Sequence, residues 1–172
     1  MKTLTWLAST LILTLTTTIP AEAAENIYLT LTGQKSGAIT GGVTQQGHEG
    51  SIRVLSYDHE IGTPLDAATD LPIGKRQNKP LTLTVLLDQS FPLLYQALTT
   101  NENLTKAMIV ADSGQAESWS VALANAQIID IHQTTRHNQS GNPAQHVLQI
   151  SLIYHSITWT KGGNTAMGTW GQ

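Results

Sequence analysis

A serine, an aspartate and a histidine lie close together at Ser56, Asp58 and His59. These are the residue types of a nucleophile, an orienting acid and a general base. The surrounding residues predict a strand, however, and neighbouring side chains on a strand point to opposite faces, so these groups do not converge. No serine lies in the G-x-S-x-G motif that exposes a nucleophile on a sharp turn. We therefore expect no hydrolase site and no enzymatic activity.

Four histidines lie on the two arms of a predicted C-terminal hairpin: His132, His137, His146 and His155. If its turn centres near Ser140, His132 falls opposite Gln149 and the four imidazoles do not meet. The chain has no cysteine, which excludes a disulfide framework, a thiol nucleophile and a Cys-ligated zinc. We interpret the histidines as solvated or hydrogen-bonded side chains, and expect neither a metal nor a cofactor.

A cluster of charged residues is the third candidate for chemistry. It lies between Gly62 and Lys79, where two prolines and the lack of a hydrophobic period predict a long loop. The charged residues of this loop are Asp66, Asp70, Lys75, Arg76 and Lys79. One interpretation is a solvated loop; the other is a contact with a neighbouring subunit or an anion.

The composition limits the possible partners. A chain of 172 residues suits one domain with its own core. A net charge of −3 gives no long-range attraction to nucleic acid or to an anionic membrane. With four Trp, four Tyr and one Phe, aromatic residues are too sparse to predict a base-stacking surface. We expect no nucleic-acid partner.

One strand and one helix can be placed closely. Apolar residues alternate at Leu81, Leu83, Val85 and Leu87, which predicts a half-buried strand. Asp88 or Ser90 is then expected to cap a short helix. Its apolar stripe would be Phe91, Leu94, Tyr95 and Leu98.

The remainder of the chain predicts β-structure with one bend and one change of packing face. Val121 and Leu123 share a parity with Ile129 and Ile131, and polar residues between them indicate a bend. Near the C-terminus, the packing face switches at His155 and Ser156. Before the switch, one face carries Ile150, Leu152 and Tyr154. After it, the other face carries Ile157 and Trp159. We predict a mainly β, barrel-like or sandwich-like domain with one helix.

Three passages resemble the haemolysin-coregulated proteins (Hcp), the inner-tube subunits of type VI secretion systems. The first, GKRQNKPLTLTVLLDQSFPLLYQAL, begins at Gly74. The second, GSIRVLSY at residues 50–57, is similar to the family's strand before a long loop. The third, ISLIYHSITWT at residues 150–160 with a tail ending at Trp170, is similar to the family's last strand. The resemblance spans nearly all of the chain after residue 24.

The resemblance implies a fold, an assembly and partners. Family members form an Hcp-like β-barrel of two curled antiparallel sheets with a flanking helix, and six copies form a homohexameric ring that stacks into a tube. The loop from Gly62 to Lys79 would reach the adjacent ring. Sheath, spike and small effector proteins would be further partners, the effectors held in the lumen. The threonines on outward strand faces suit subunit contact, and they also suit any exposed strand: Thr30, Thr32, Thr82 and Thr84.

The N-terminus predicts a secretory signal peptide over residues 1–23. Lys2 supplies a positive start, an apolar Thr-rich run follows, and Ala21-Glu22-Ala23 is a small-residue cleavage site. The alternative is a first strand around Thr14 to Thr17. Neither this run nor a later segment predicts a membrane span. Residues 24–172 are then one domain of a secreted protein.

A signal peptide conflicts with the resemblance, because ordinary tube subunits fold in the cytoplasm. The alternative function is therefore an exported binding module that keeps the barrel but does not assemble a tube, acting in the periplasm or outside the cell. Gly168 favours it, since the family's tail usually carries an acidic residue just before the last tryptophan.

Overall fold

The computed structural model describes residues 25–113, 117–136 and 144–170. The predicted signal peptide and the tip of the predicted C-terminal hairpin, with His137 and Ser140, lie outside this part of the chain. The elements are β1 Asn26–Gly33, β2 Gly37–Ile39, β3 Ile52–Asp58, β4 Ile61–Gly62, β5 Gln77–Asn78, β6 Leu81–Leu86, α1 Phe91–Thr99, β7 Leu104–Asp112, β8 Glu117–Ala124, β9 Gln127–Arg136, β10 Gln145–Ile153, β11 Ser156–Lys161 and β12 Asn164–Thr169.

One antiparallel sheet holds most of these strands. Its order is β12-β11-β8-β7-β1-β3-β6-β10-β9, with β2 paired to the end of β1. The short strands β4 and β5 form a separate pair. The prediction of a mainly β fold with a single helix is confirmed for the described residues. No helix in these ranges is long and apolar enough to cross a bilayer.

One long hairpin supplies both flanks of the sheet. The pairing of Gln127 with Ile153 between β9 and β10 continues as the pairing of Ala124 with Ser156 between β8 and β11. The β9/β10 half adds to β6, whereas the β8/β11 half adds to β7, on the other side of β1 and β3. The hairpin therefore curls the sheet around its own apolar face. The predicted bend between Leu123 and Ile129 and the predicted switch of packing face at His155 and Ser156 both lie within this hairpin.

The hairpin bends where its strands are interrupted, at Asn125-Ala126 and at Tyr154-His155. Asn125 has φ +49°, in the left-handed region that asparagine tolerates better than most residues. Ala126 is fully buried, and its backbone exchanges two hydrogen bonds with Leu104, of 2.8 and 3.3 Å. The bend thus keeps its backbone groups paired. Beyond the bend, the buried positions shift by one residue: Ile128 is 2% exposed and Ile129 is 45% exposed, so Ile129 does not share the buried face of Val121 and Leu123 as its parity predicted.

The core joins side chains from almost every strand of the main sheet to the helix. In β6, Leu81, Leu83 and Val85 are fully buried, as the alternation predicts. Leucine and isoleucine side chains of β1, β3, β7 and β10 meet them from the facing strands. One shared cluster rather than two indicates that the curled sheet encloses a single core.

The helix packs with Leu94 and Ala97 fully buried, while Tyr95 is 56% exposed. Tyr95 was therefore wrongly placed in the apolar stripe. Ser90 is the N-cap residue, but its side chain makes no capping bond to the helix. Asp88 instead accepts hydrogen bonds from the Ser90 N–H at 2.9 Å and the Ser90 hydroxyl at 2.5 Å.

Candidate assembly surface

The predicted long loop folds as a two-stranded arm, residues 60–79. Its base is the β4/β5 pair, in which Ile61 faces Asn78. Farther along, the Ile73 N–H donates to the Pro64 carbonyl at 2.8 Å, and Leu65 bridges Pro72. The arm therefore has a ladder of its own, which the sequence did not predict because no alternating pattern runs through it.

The tip of the arm is shaped by one of the predicted site residues. The Asp66 carboxylate accepts hydrogen bonds from the Thr69 hydroxyl at 2.8 Å, the Thr69 N–H at 3.0 Å and the Ala68 N–H at 3.2 Å. These bonds hold the pKa of Asp66 below its usual range, and the bond from the Thr69 hydroxyl contributes most to the shift. Asp70 closes the turn with φ +54°. Both aspartates thus have a role in holding the arm's own turn.

The basic residues divide into one paired and two unpaired side chains. The Lys79 Nζ lies 2.7 Å from the Glu60 Oε2, across the base of the arm. Such an exposed pair contributes little, about 0 to 1 kcal/mol. Lys75 and Arg76 are exposed, and no ion pair joins them to another described residue. The structure does not bring the five predicted residues into one cluster.

The arm is anchored to the main sheet at two points near its base. The His59 Nε2 is hydrogen-bonded to the Tyr154 hydroxyl at 2.6 Å, and the Asn78 side-chain amide donates to the Thr169 carbonyl at 3.2 Å. Burial lowers the pKa of His59, although Asp58 opposes that shift, and burial raises the pKa of Tyr154. The pair is therefore an uncharged link, and it gives His59 a structural role.

The most distinctive property of the arm is its exposed apolar surface. Four large aliphatic side chains of the arm are exposed to solvent by 42 to 62%. They are Ile61, Leu65, Leu71 and Ile73. Grouped apolar exposure of this kind marks surfaces that contact another molecule. The charged residues of the loop were predicted from the sequence as a possible contact, and these aliphatic residues were not. Four aliphatic residues within a stretch rich in turn formers could have indicated them.

A polar concavity of about 660 Å³ adjoins the base of the arm. Its walls are outward side chains of β3, β6, β9 and β10, among them Ser56, Asp58 and Thr82. Thr84 lines it as well, on the same outward face as Thr82, although Thr84 is only 6% exposed.

Histidine placement agrees with the predicted register where the structure describes it. His132 faces Gln149 across β9 and β10, as predicted. His146 faces Thr135, whose hydroxyl lies 3.0 Å from the His146 Nδ1. Within the described ranges no three His, Asp or Glu side chains are grouped to hold a metal ion.

These features define a class: a curled antiparallel β-protein that presents exposed apolar side chains on a two-stranded arm. A family model described as "Type VI secretion system effector, Hcp" matches residues 28–160. The chain belongs to this Hcp family of type VI secretion proteins, and the resemblance seen in its sequence is confirmed.

Relatives support the same assignment. The chain is 34% identical over 149 residues to the "Major exported protein" of Pseudomonas aeruginosa, covering 77% of this chain and 87% of that one. A crystal structure of an Hcp protein has a TM-score of 0.79 and 26% identity, covering 87% of this chain and 99% of that one. The structure of Hcp1 from the E. coli EAEC 042 pathovar, solved as a mutant, has a TM-score of 0.75 and 31% identity, covering 86% and 99%.

Proposed function

We propose that this protein is a non-enzymatic, ring-forming tube subunit of a type VI secretion system. The observation that carries the proposal is the exposed apolar surface of the arm, in a chain of the Hcp family. Solvated aliphatic side chains cost free energy that burial against another subunit recovers, about 25 cal/mol per Å². The partner is a second copy of the chain: copies associate side by side into a homohexameric ring, and the arm contacts the next ring.

Within this proposal, the charged residues of the arm have separate tasks. Asp66 and Asp70 hold the turn that presents Leu65 and Leu71. Lys75 and Arg76, exposed and without an ion pair among the described residues, are free to meet carboxylates of the adjacent ring. The lumen of the tube would carry small effector proteins, and sheath and spike proteins would contact the assembled tube.

We further propose that the protein is exported. The signal-like residues 1–23 and the similarity to the "Major exported protein" of Pseudomonas aeruginosa support export. N-terminal sequencing of exported protein tests the route: a start at Ala24 or Glu25 indicates cleavage of a leader, and an intact Met1 contradicts it.

The assembly proposal is tested with the double variant Leu65→Asp, Leu71→Asp. Two carboxylates on the arm cannot be buried against another ring without a large desolvation cost, so rings should form but no longer stack. Sedimentation velocity measures the particle size, and negative-stain electron microscopy shows the rings. Tyr95→Asp is the matched control, because Tyr95 is equally exposed at 56% but lies on the helix.

Three results would contradict the proposal. The unchanged chain could remain strictly monomeric at high concentration, which would refute ring formation. The arm variant could stack as the unchanged chain does, which would exclude the arm from the contact. The Tyr95→Asp control could abolish stacking equally, which would show that any added surface charge has this effect.

A further inference from the structure

The bend of the long hairpin opens a second cavity, away from the apolar tip of the arm. It has a volume of about 420 Å³, within the range of about 300 to 1,000 Å³ that small-ligand sites usually have. It lies beside the two bend segments because the paired strands turn there to opposite flanks of the sheet. Its lining consists of Asn103, Asn125, Gln127, Ile153, Tyr154, His155 and Trp170.

Two aromatic rings form a fixed wall of this cavity. Tyr154 is 4% exposed, and its hydroxyl is held by His59 at 2.6 Å. The Trp170 ring packs edge-on against Tyr154, with 5.1 Å between ring centroids. The backbone N–H of Trp170 donates to the His155 carbonyl at 2.9 Å, which fixes the main chain that carries the indole. The half-buried indole is thus positioned before any ligand arrives.

Three side-chain amides lie on the same cavity. The Asn103 side-chain amide donates to the Asn125 Oδ1 at 3.5 Å, which is a weak hydrogen bond, and the side chain of Gln127 has no hydrogen-bond partner among the described residues. Each amide carries two donors and an acceptor with two lone pairs. Most of this capacity is therefore available to a ligand that both donates and accepts hydrogen bonds.

The charge of the lining restricts the ligand further. No Asp, Glu, Lys or Arg lines the cavity. An anionic ligand such as a phosphate would lack the Lys or Arg partner it usually has, and a cation would lack a carboxylate. A purely apolar ligand would bury three amides without partners, at a cost of about 1 to 3 kcal/mol each.

We propose that this cavity binds a neutral saccharide unit. The apolar face of a pyranose ring would lie on the Trp170 indole, which offers a large apolar surface. Neighbouring hydroxyls, each a donor and an acceptor, would bond to the amides of Asn125 and Gln127. The proposal uses residues outside the arm, so it does not depend on ring stacking.

The test is a titration of the full chain with two neutral disaccharides, N,N′-diacetylchitobiose and maltose, followed by tryptophan fluorescence and calorimetry. We expect a dissociation constant of about 1 mM or tighter for at least one of them. Gln127→Leu, which keeps the volume but removes the amide, should weaken binding about tenfold. Trp170→Ala should abolish it, and Trp170→Phe should retain part of it.

Controls separate the cavity from other sites and from misfolding. His132→Ala lies on β9 outside the cavity and should bind as the unchanged chain does. The arm variant Leu65→Asp, Leu71→Asp should also bind normally, because the cavity is independent of stacking. Absence of binding of both sugars at about 10 mM would overturn the proposal. Equal binding by folded Gln127→Leu, with an unchanged circular dichroism spectrum, would overturn it too.

Discussion

At the scale of single residues, the buried carboxylate of Glu102 holds a turn in place. Glu102 is 4% exposed and lies against the turn between β1 and β2. Its carboxylate accepts from the backbone N–H groups of Lys35 and Ser36 at 2.6 and 2.7 Å, and from the Ser36 hydroxyl at 3.1 Å. The bond from the Ser36 N–H is the main cause of a pKa below the usual range, while burial opposes it. Gly33 is required beside it, since a Cβ there would meet this carboxylate.

The change Glu102→Gln should lower the free energy of unfolding by about 1 to 2 kcal/mol at pH 7, because the two backbone N–H groups would then donate to a neutral amide oxygen instead of an ionised carboxylate. The folded pKa of Glu102 is lowered, so its stabilisation is complete above the unfolded value of about 4.3 and disappears as pH falls through the folded pKa. The difference between the two proteins should therefore shrink in acid. Urea unfolding at pH 7 and at low pH measures it.

Glu49→Gln is the matched control for that change. The Glu49 side chain also accepts one backbone N–H, from Gly47 at 2.9 Å, but it is exposed. Its effect should be within about 0.5 kcal/mol at any pH. A Glu102→Gln effect that is equally small, or that grows in acid, would show that the ionised carboxylate does not hold the turn.

At the scale of elements, the bend of the long hairpin organises both the sheet and the saccharide cavity. The bend needs a residue with φ near +49° at Asn125, next to a fully buried Ala126. The main chain stays paired through it, since the His155 N–H donates to the Ala124 carbonyl at 3.0 Å. A residue that disfavours this φ should destabilise the whole sheet, because the bend directs the paired strands to both flanks.

Asn125→Ala should therefore destabilise the protein by about 1 kcal/mol, the cost of left-handed backbone at an ordinary residue. Asn125→Gly is the matched control: it removes the same side chain but tolerates this φ, so its effect should be clearly smaller. Thermal unfolding followed by circular dichroism compares the two. Equal destabilisation by both would attribute the effect to the lost amide rather than to the backbone.

At the scale of the whole molecule, a charged contact and an apolar contact between rings should respond to salt in opposite ways. The chain carries a net charge of −3, and the arm holds both signs of charge beside four exposed aliphatic residues. If stacking depended on Lys75 and Arg76, salt would screen it. If it depends on the aliphatic residues, an excluded salt such as sulfate strengthens it.

We expect stacking to depend on the aliphatic residues of the arm. Raising sodium sulfate to about 0.5 M should increase the fraction of stacked rings in the unchanged chain, because sulfate favours burial of apolar surface. Sedimentation velocity measures that fraction. The arm variant should not respond, and Lys75→Ala, Arg76→Ala should respond as the unchanged chain does. Dissociation by sulfate would instead assign the contact to the charges.

The fold class, the strand β6 with its helix, the bend near Asn125 and the change of packing face at His155 could be predicted from the sequence. They depend on local patterns: alternation places Leu81, Leu83 and Val85 on one face whatever surrounds them. The pairing of His132 with Gln149 followed from hairpin geometry in the same way. The family resemblance also rests on such ordered local passages.

Tertiary structure determined the burial and proximity of residues for which the sequence pattern gives no prediction or an ambiguous one. Tyr28 is 1% exposed although it points away from the face of β1 that carries Leu29 and Leu31, because His48 stacks on its ring. The exposed side chains of Leu65 and Leu71 follow from the arm's own ladder, which no period predicts. The amides at the cavity come from segments distant in sequence, Asn103 and Gln127, and only the curled sheet brings them together. Burial and proximity depend on the whole chain, whereas alternation depends on a few neighbouring residues.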